Sequence, residues 1–250
     1  MGERRPHLRL HLAFAAALVA GWHVAHLFAP AAFPTFPTVA GAFLSQVRSG
    51  ALPAALAAAL FAIAAGYLLA VVVGVPLGLA MGASDALEAA LDPYLTALYV
   101  TPFAALVPAL VVWFGTGTGV RVAVVFLFAV FPVAINTLEG AAAVPADLVE
   151  AAESFGADRR FVLARVVLPH EATYVLAGLR LGAGRAVKGL VVTELLVSVT
   201  GFGAVIARWS SAFRIEGVLS VVAVLMALGV GATWLLGALE RRLLPWRERG

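Results

Sequence analysis

Residues 54–81 read AALAAALFAIAAGYLLAVVVGVPLGLAM and contain no charged side chain. Crossing a hydrocarbon layer takes about 20 mainly apolar residues, and only a helix can satisfy every backbone polar group within the segment. This run meets that demand. Working outward from it, further apolar runs lie at 10–28, 94–114, 120–137, 174–199 and 218–239, giving about six spans in all. The fifth is interrupted by Arg180, Arg185 and Lys188. The whole chain of 250 residues is 62% hydrophobic and 12% charged, with a mean hydropathy of +0.99, whereas soluble domains carry about 25% charged residues. The predicted fold is therefore all-α and polytopic, one membrane domain over residues 1–250 with about six transmembrane helices.

Arginines set the expected orientation, since basic residues in short loops favour the cytoplasmic side. With the N-terminus inside, the inner segments hold Arg4, Arg5, Arg9, Arg159, Arg160, Arg165, Arg241, Arg242, Arg247 and Arg249. The outer segments hold Arg48, Arg121, Arg208 and Arg214. Both termini are expected in the cytoplasm. The net charge of +3 does not argue for nucleic acid, because the basic residues flank apolar spans instead of forming a patch with polar and aromatic neighbours. No cysteine occurs, so disulfide and thiolate chemistry are excluded. The first run exceeds the apolar length of a signal peptide and reads as a retained helix.

Between the spans, 29–53 contains Pro30, Pro34, Pro37 and Pro53 around an amphipathic stretch at 39–47, which reads as an outer loop carrying an interfacial helix. Residues 84–93, with Asp85, Glu88 and Asp92, read as a short inner loop. Gly115 to Gly119 reads as a tight turn; as a phosphate cradle it lacks the lysine and following hydroxyl residue. Gly74 and Gly78 have the spacing of a helix contact, and Pro76, Pro102, Pro108 and Pro132 should kink or open their helices. The pairs His7 with His11 and His23 with His26 lack a nearby carboxylate and make poor metal sites. No catalytic constellation is visible, so no enzymatic activity is expected on this chain.

Residues 150–169, EAAESFGADRRFVLARVVLP, are charge-dense in an otherwise apolar chain. The first part favours helix, Gly156 breaks or caps it, a second amphipathic turn carries Arg159, Arg160 and Arg165, and Pro169 should stop that turn. Glu150 is suited to a helix N-terminus, where negative charge gains about 0.3–1 kcal/mol. Glu150-Ala151-Ala152, then Gly156, then Val166-x-Leu168-Pro169 resembles the signature cytoplasmic loop of membrane subunits of bacterial ABC importers. Leu98-Tyr99-Val100-Thr101-Pro102, Pro108, Val112-Trp113-Phe114-Gly115 and Phe131 to Thr137 resemble the branch that serves nitrate, taurine and aliphatic sulfonates. Gly178-Leu179-Arg180-Leu181 and Thr193-Glu194-Leu195-Leu196 extend the likeness, which covers roughly residues 50–242.

This resemblance implies a type I importer fold in the bacterial inner membrane. The loop at about 145–169 would form coupling helices seated in a groove of a separate ATPase, through Glu150, Ala151, Ala152, Gly156, Arg159, Arg160, Leu168 and Pro169. It further implies a second copy of the permease, a pair of ATPase subunits holding ATP and Mg, and an external solute-binding protein, with no cofactor on this chain. Arg159, Arg160 and Arg165 could instead serve retention by anionic lipid. An ion-coupled secondary transporter is the alternative, although Glu194 is the clear acidic residue within a span. A charge at the bilayer centre costs about 2.5–3.5 kcal/mol on insertion scales, so Arg185, Lys188 and Glu194 are candidate pathway residues. Arg185 and Lys188 share a helix face and would raise the potential along an anion route, or else pair with another helix or reach the inner interface. Lys188 departs from the family pattern, which leads us to expect an uncharged residue there.

Overall fold

The computed structural model describes residues 4–197 and 199–243. Among these residues the secondary structure is helical, with no strand. In chain order the helices are α1 (Arg4–Phe28), α2 (Phe36–Arg48), α3 (Ala51–Gly82), α4 (Asp85–Val100), α5 (Val107–Phe114) and α6 (Thr118–Ala142). They continue as α7 (Ala146–Ser154), α8 (Arg159–Val162), α9 (Leu168–Val197), α10 (Gly201–Ser211) and α11 (Ile215–Leu243). Leu10–Phe28, Ala51–Gly82, Thr118–Ala142 and Ile215–Leu235 are each long and apolar enough to cross a membrane. Two further spans are bent pairs: α4 with Phe103–Phe114 at 85°, and His170–Val197 with α10 at 48°. The expected number of about six spans is met when each bent pair counts once.

α6 is the centre of the bundle, with Val124, Val125, Ala129, Val133 and Ala134 fully buried. Small residues let its neighbours approach at backbone distance, which is how apolar helices gain contact where lipid is as apolar as the side chains. A Cβ on Gly66 would stand 2.7 Å from the Val122 carbonyl oxygen, and one on Gly78 would stand 2.5 Å from that of Ala134. Both numbers rise together along the two chains, so α3 and α6 run parallel. On the other side, a Cβ on Gly178 would be 3.2 Å from the Pro132 oxygen, and one on Gly182 would be 3.2 Å from that of Ala129. Here the order reverses, and α9 runs antiparallel to α6. The C-terminal ends of α3 and α6, the α7–α8 segment and the start of α9 thus share one end of the bundle. α2 is pinned to α11 near the opposite end, where Gln46 Nε2 donates to Ser220 Oγ at 2.6 Å and to the Gly217 oxygen at 3.3 Å.

Two expectations are corrected. The run at 94–114 is not one straight helix: Thr101, which precedes a proline, takes φ −66° and ψ 132°, and α4 ends at Val100. Clash with the Pro102 ring drives that residue out of the helical region. A 3-10 turn, Phe103–Leu106, and α5 then leave at a steep angle, with Pro108 in the first turn of α5. Residues 85–93 are helical, not loop. Ser84 caps α4 by accepting from Leu87 N at 3.4 Å, and Asp85 and Glu88 occupy the first turn, where acidic side chains favour a helix start. The expected turn at Gly115 is present, with φ +72°. Gly74 and Gly78 meet α6 as their spacing implies.

Candidate functional site

The polar loop is built by local rules. α7 ends in a Schellman motif: Gly156 N donates to the Glu153 oxygen at 2.8 Å and Ala157 N to that of Ala152 at 3.1 Å, with Gly156 at φ +82°. A Cβ there would be strained, which fixes glycine at the corner. Asp158 then caps α8, its Oδ1 accepting from Phe161 N at 2.8 Å. A π turn, Leu163–Val167, joins α8 to α9. The result is a hairpin that stands out from the bundle, with Phe155 93% exposed and Leu148, Phe161 and Arg160 also exposed. Val162 is buried and ties the hairpin down.

Glu150 and Ala151 are exposed on α7 and Ala152 is half-buried. Glu150 does not cap that helix. Four residues precede it in α7, and Asp147 holds the first turn instead. Pro169 does not stop a helix either: it is the second residue of α9 and follows the π turn without a break in the helical run. The side chains of Arg159, Leu168 and Pro169 lie outside the described part of the structure.

Charges within the bundle fall into two arrangements. Glu194, near the end of α9, is buried and its Oε1 meets Arg121 Nε at 2.9 Å, while its Oε2 accepts from Gly203 N at 2.8 Å. Arg121 also donates to the Thr200 hydroxyl. Arg121 is thus not an outer-loop residue but a buried member of the first turn of α6. Glu194 is sealed with it, apart from the cavities described next. Glu171, at the other end of α9, is fully buried against Gly140 and Tyr174, and neither carboxyl oxygen has a hydrogen-bond partner among the described residues.

Arg185 and Lys188 have different surroundings. Arg185 Nη2 donates to the Tyr99 hydroxyl at 2.6 Å, and its guanidinium carbon lies 4.4 Å from the centre of the Tyr99 ring. It borders a cavity of about 260 Å³ walled by Tyr99, Thr101 and Pro102 of the α4–α5 elbow and by Phe128 and Phe131 of α6. It also borders an open cavity of about 590 Å³ together with Arg180, Gly184, Lys188 and Thr233. Arg185 and Lys188 therefore face one space, as their spacing implies, and Glu194 does not join them. Tyr99, Arg121, Asp158 and Phe155 are additions that sequence reasoning did not single out. Asp158, at a capping distance before Phe161, was the readable one.

A bundle of membrane-length helices with one exposed, locally determined polar hairpin defines a class of polytopic helical membrane protein. The chain belongs to the family of the binding-protein-dependent transport system inner membrane component, whose description matches residues 74–245. It is 33% identical over 163 residues to the taurine transport system permease protein of Escherichia coli (strain K12), covering 65% of this chain and 59% of that protein. To the formylaminopyrimidine transport permease protein of Halalkalibacterium halodurans it is 34% identical over 166 residues, 66% of each chain. To the putative aliphatic sulfonates transport permease protein of Bacillus subtilis (strain 168) it is 33% identical over 165 residues, 66% of this chain and 60% of that one. The match thus spans about three fifths of the length of two of these relatives and two thirds of the third.

Proposed function

We propose that this chain is the membrane-spanning subunit of an ATP-driven importer, working as a pair with ATPase subunits on the cytoplasmic side and a solute-binding protein outside. The observation that carries this reading is the exposed hairpin, whose Phe155, Phe161 and Leu148 offer apolar surface beside Arg160 at one end of the bundle. A fully exposed phenylalanine next to a left-handed glycine corner serves no packing purpose within the chain, and an apolar patch rimmed by charge suits a protein partner. Membership in an inner membrane component family supports an ATPase as that partner, which would hold ATP and Mg. Glu150, Ala151, Ala152, Gly156, Arg159, Arg160, Leu168 and Pro169 are assigned to this contact.

Orientation follows from the same assignment. The hairpin end, where α3 and α6 finish and α9 begins, would face the cytoplasm, and with six crossings both termini would lie there too. The cargo is a small organic or inorganic anion such as a sulfonate, taurine or nitrate, in keeping with the taurine and sulfonate relatives and the cationic cavity on α9. Purification of the tagged chain from its native membranes in mild detergent, followed by mass spectrometry, tests the proposal. An ATPase subunit at equal copy number supports it. A chain that purifies alone and still carries solute in ATP-free vesicles moves the reading to an ion-coupled secondary transporter.

A further inference from the structure

α9 has 30 residues, about 45 Å at 1.5 Å per residue, against a hydrocarbon layer of about 30 Å. Arg180, Arg185 and Lys188 all fall within about 9 Å of its midpoint along the axis by the same rise. Charges at that depth must face protein or water, since lipid tails cannot solvate them. The acids of α9 are committed elsewhere: Glu194 to Arg121, and Glu171 to the packing against Gly140. Arg185 and Lys188 instead border the open cavity, and no carboxylate is among the described residues lining it. Arg185 is shared with the second cavity, and its contact with Tyr99 holds the guanidinium over a ring at the α4–α5 elbow.

We propose that Arg185 and Lys188 form a station for a small oxyanion midway along α9, where the two cavities meet at Arg185, and that Tyr99 positions Arg185. The inference rests on the importer reading for its direction of transport but not for the chemistry of the site. A planar guanidinium with two N–H edges matches an oxyanion, and one edge is already used by Tyr99, leaving the other for cargo. A lysine ammonium beside it adds charge without fixed geometry. The Tyr99 hydroxyl lies two residues before the break at Thr101, so a change of angle at the elbow moves the arginine with it.

The absence of native cysteine makes a direct test available. Thr233→Cys, and Leu181→Cys as a second reporter, are introduced separately into the full chain with whatever subunits co-purify, in phosphatidylcholine vesicles. Reaction with an anionic methanethiosulfonate is compared with reaction with a cationic one, each normalised to a free thiol. The expected result is a several-fold preference for the anionic reagent, reduced by Lys188→Gln and by Arg185→Gln, and slowed by methanesulfonate as the probe. Tyr99→Phe should weaken methanesulfonate protection while leaving the charge preference in place. Loss of the preference in phosphatidylcholine, with its return on adding anionic lipid, would assign the cations to lipid headgroups and overturn the station. So would two unreactive reporters, or a preference indifferent to both glutamine variants. An intact preference in a chain that never retains an ATPase would instead overturn the importer reading and leave the station standing.

Discussion

Glu194 and Lys188 lie on the same helix and are treated in opposite ways. Glu194 is closed into an ion pair with Arg121 and a backbone N–H from Gly203, whereas Lys188 is exposed along an open cavity beside Arg185. The first arrangement welds the C-terminal end of α9 to α6 and to the start of α10. The second leaves charge available in the middle of the bundle. The contrast teaches that a charged residue in an apolar span has two stable fates, full internal neutralisation or contact with water, and only the second can serve a passing solute.

The largest effect should come from breaking the sealed pair. Glu194→Ala leaves Arg121 buried without its counter-charge and should cost about 3–5 kcal/mol, read as a lowered melting temperature of the detergent-solubilised protein. Arg121→Met combined with Glu194→Leu should recover most of that loss, because two apolar side chains of similar volume leave no buried charge. A single variant that melts as the parent does would erase the contrast. Next comes the hairpin corner. Gly156→Val places a branched side chain at φ +82°, at a local cost of about 1–2 kcal/mol, so the bundle should melt almost normally while ATPase co-purification falls several-fold. Lys188→Gln should change stability by no more than about 0.5 kcal/mol, as for exposed sites, yet lower anion uptake. A large loss of stability there would mean that Lys188 is neutralised like Glu194. An effect of opposite sign is expected at Glu171, whose oxygens have no partner among the described residues. Glu171→Gln should be neutral or stabilise by about 1 kcal/mol, because a neutral amide is easier to bury than a carboxylate.

The spans were legible because hydrocarbon imposes length and apolarity on every crossing, and residues 54–81 satisfy both within α3. The corner at Gly156 was legible for a similar reason, since glycine at a helix end has a single strong use. The helix break at Thr101 and the cap at Ser84 carried readable local signals, a pre-proline residue and an N-cap followed by acids, but the apolar run and the acidic cluster drew attention from them. The Arg121–Glu194 pair could not be read, because its members lie on different helices and only the antiparallel register of α6 and α9 brings them together. For the same reason, Arg185 and Lys188 were recognisable as neighbours while Tyr99, on α4, was not seen as a partner.

The most direct test concerns what touches the hairpin. A photoreactive phenylalanine analogue replaces Phe155, which is 93% exposed, in the full chain, and native membranes are irradiated before purification. An ATP-binding soluble subunit crosslinked to this position is the expected result, with Gly156→Val greatly reducing its yield. Crosslinks only to lipid, or to another copy of this chain, in membranes that still take up solute would contradict the assignment of the hairpin to an ATPase.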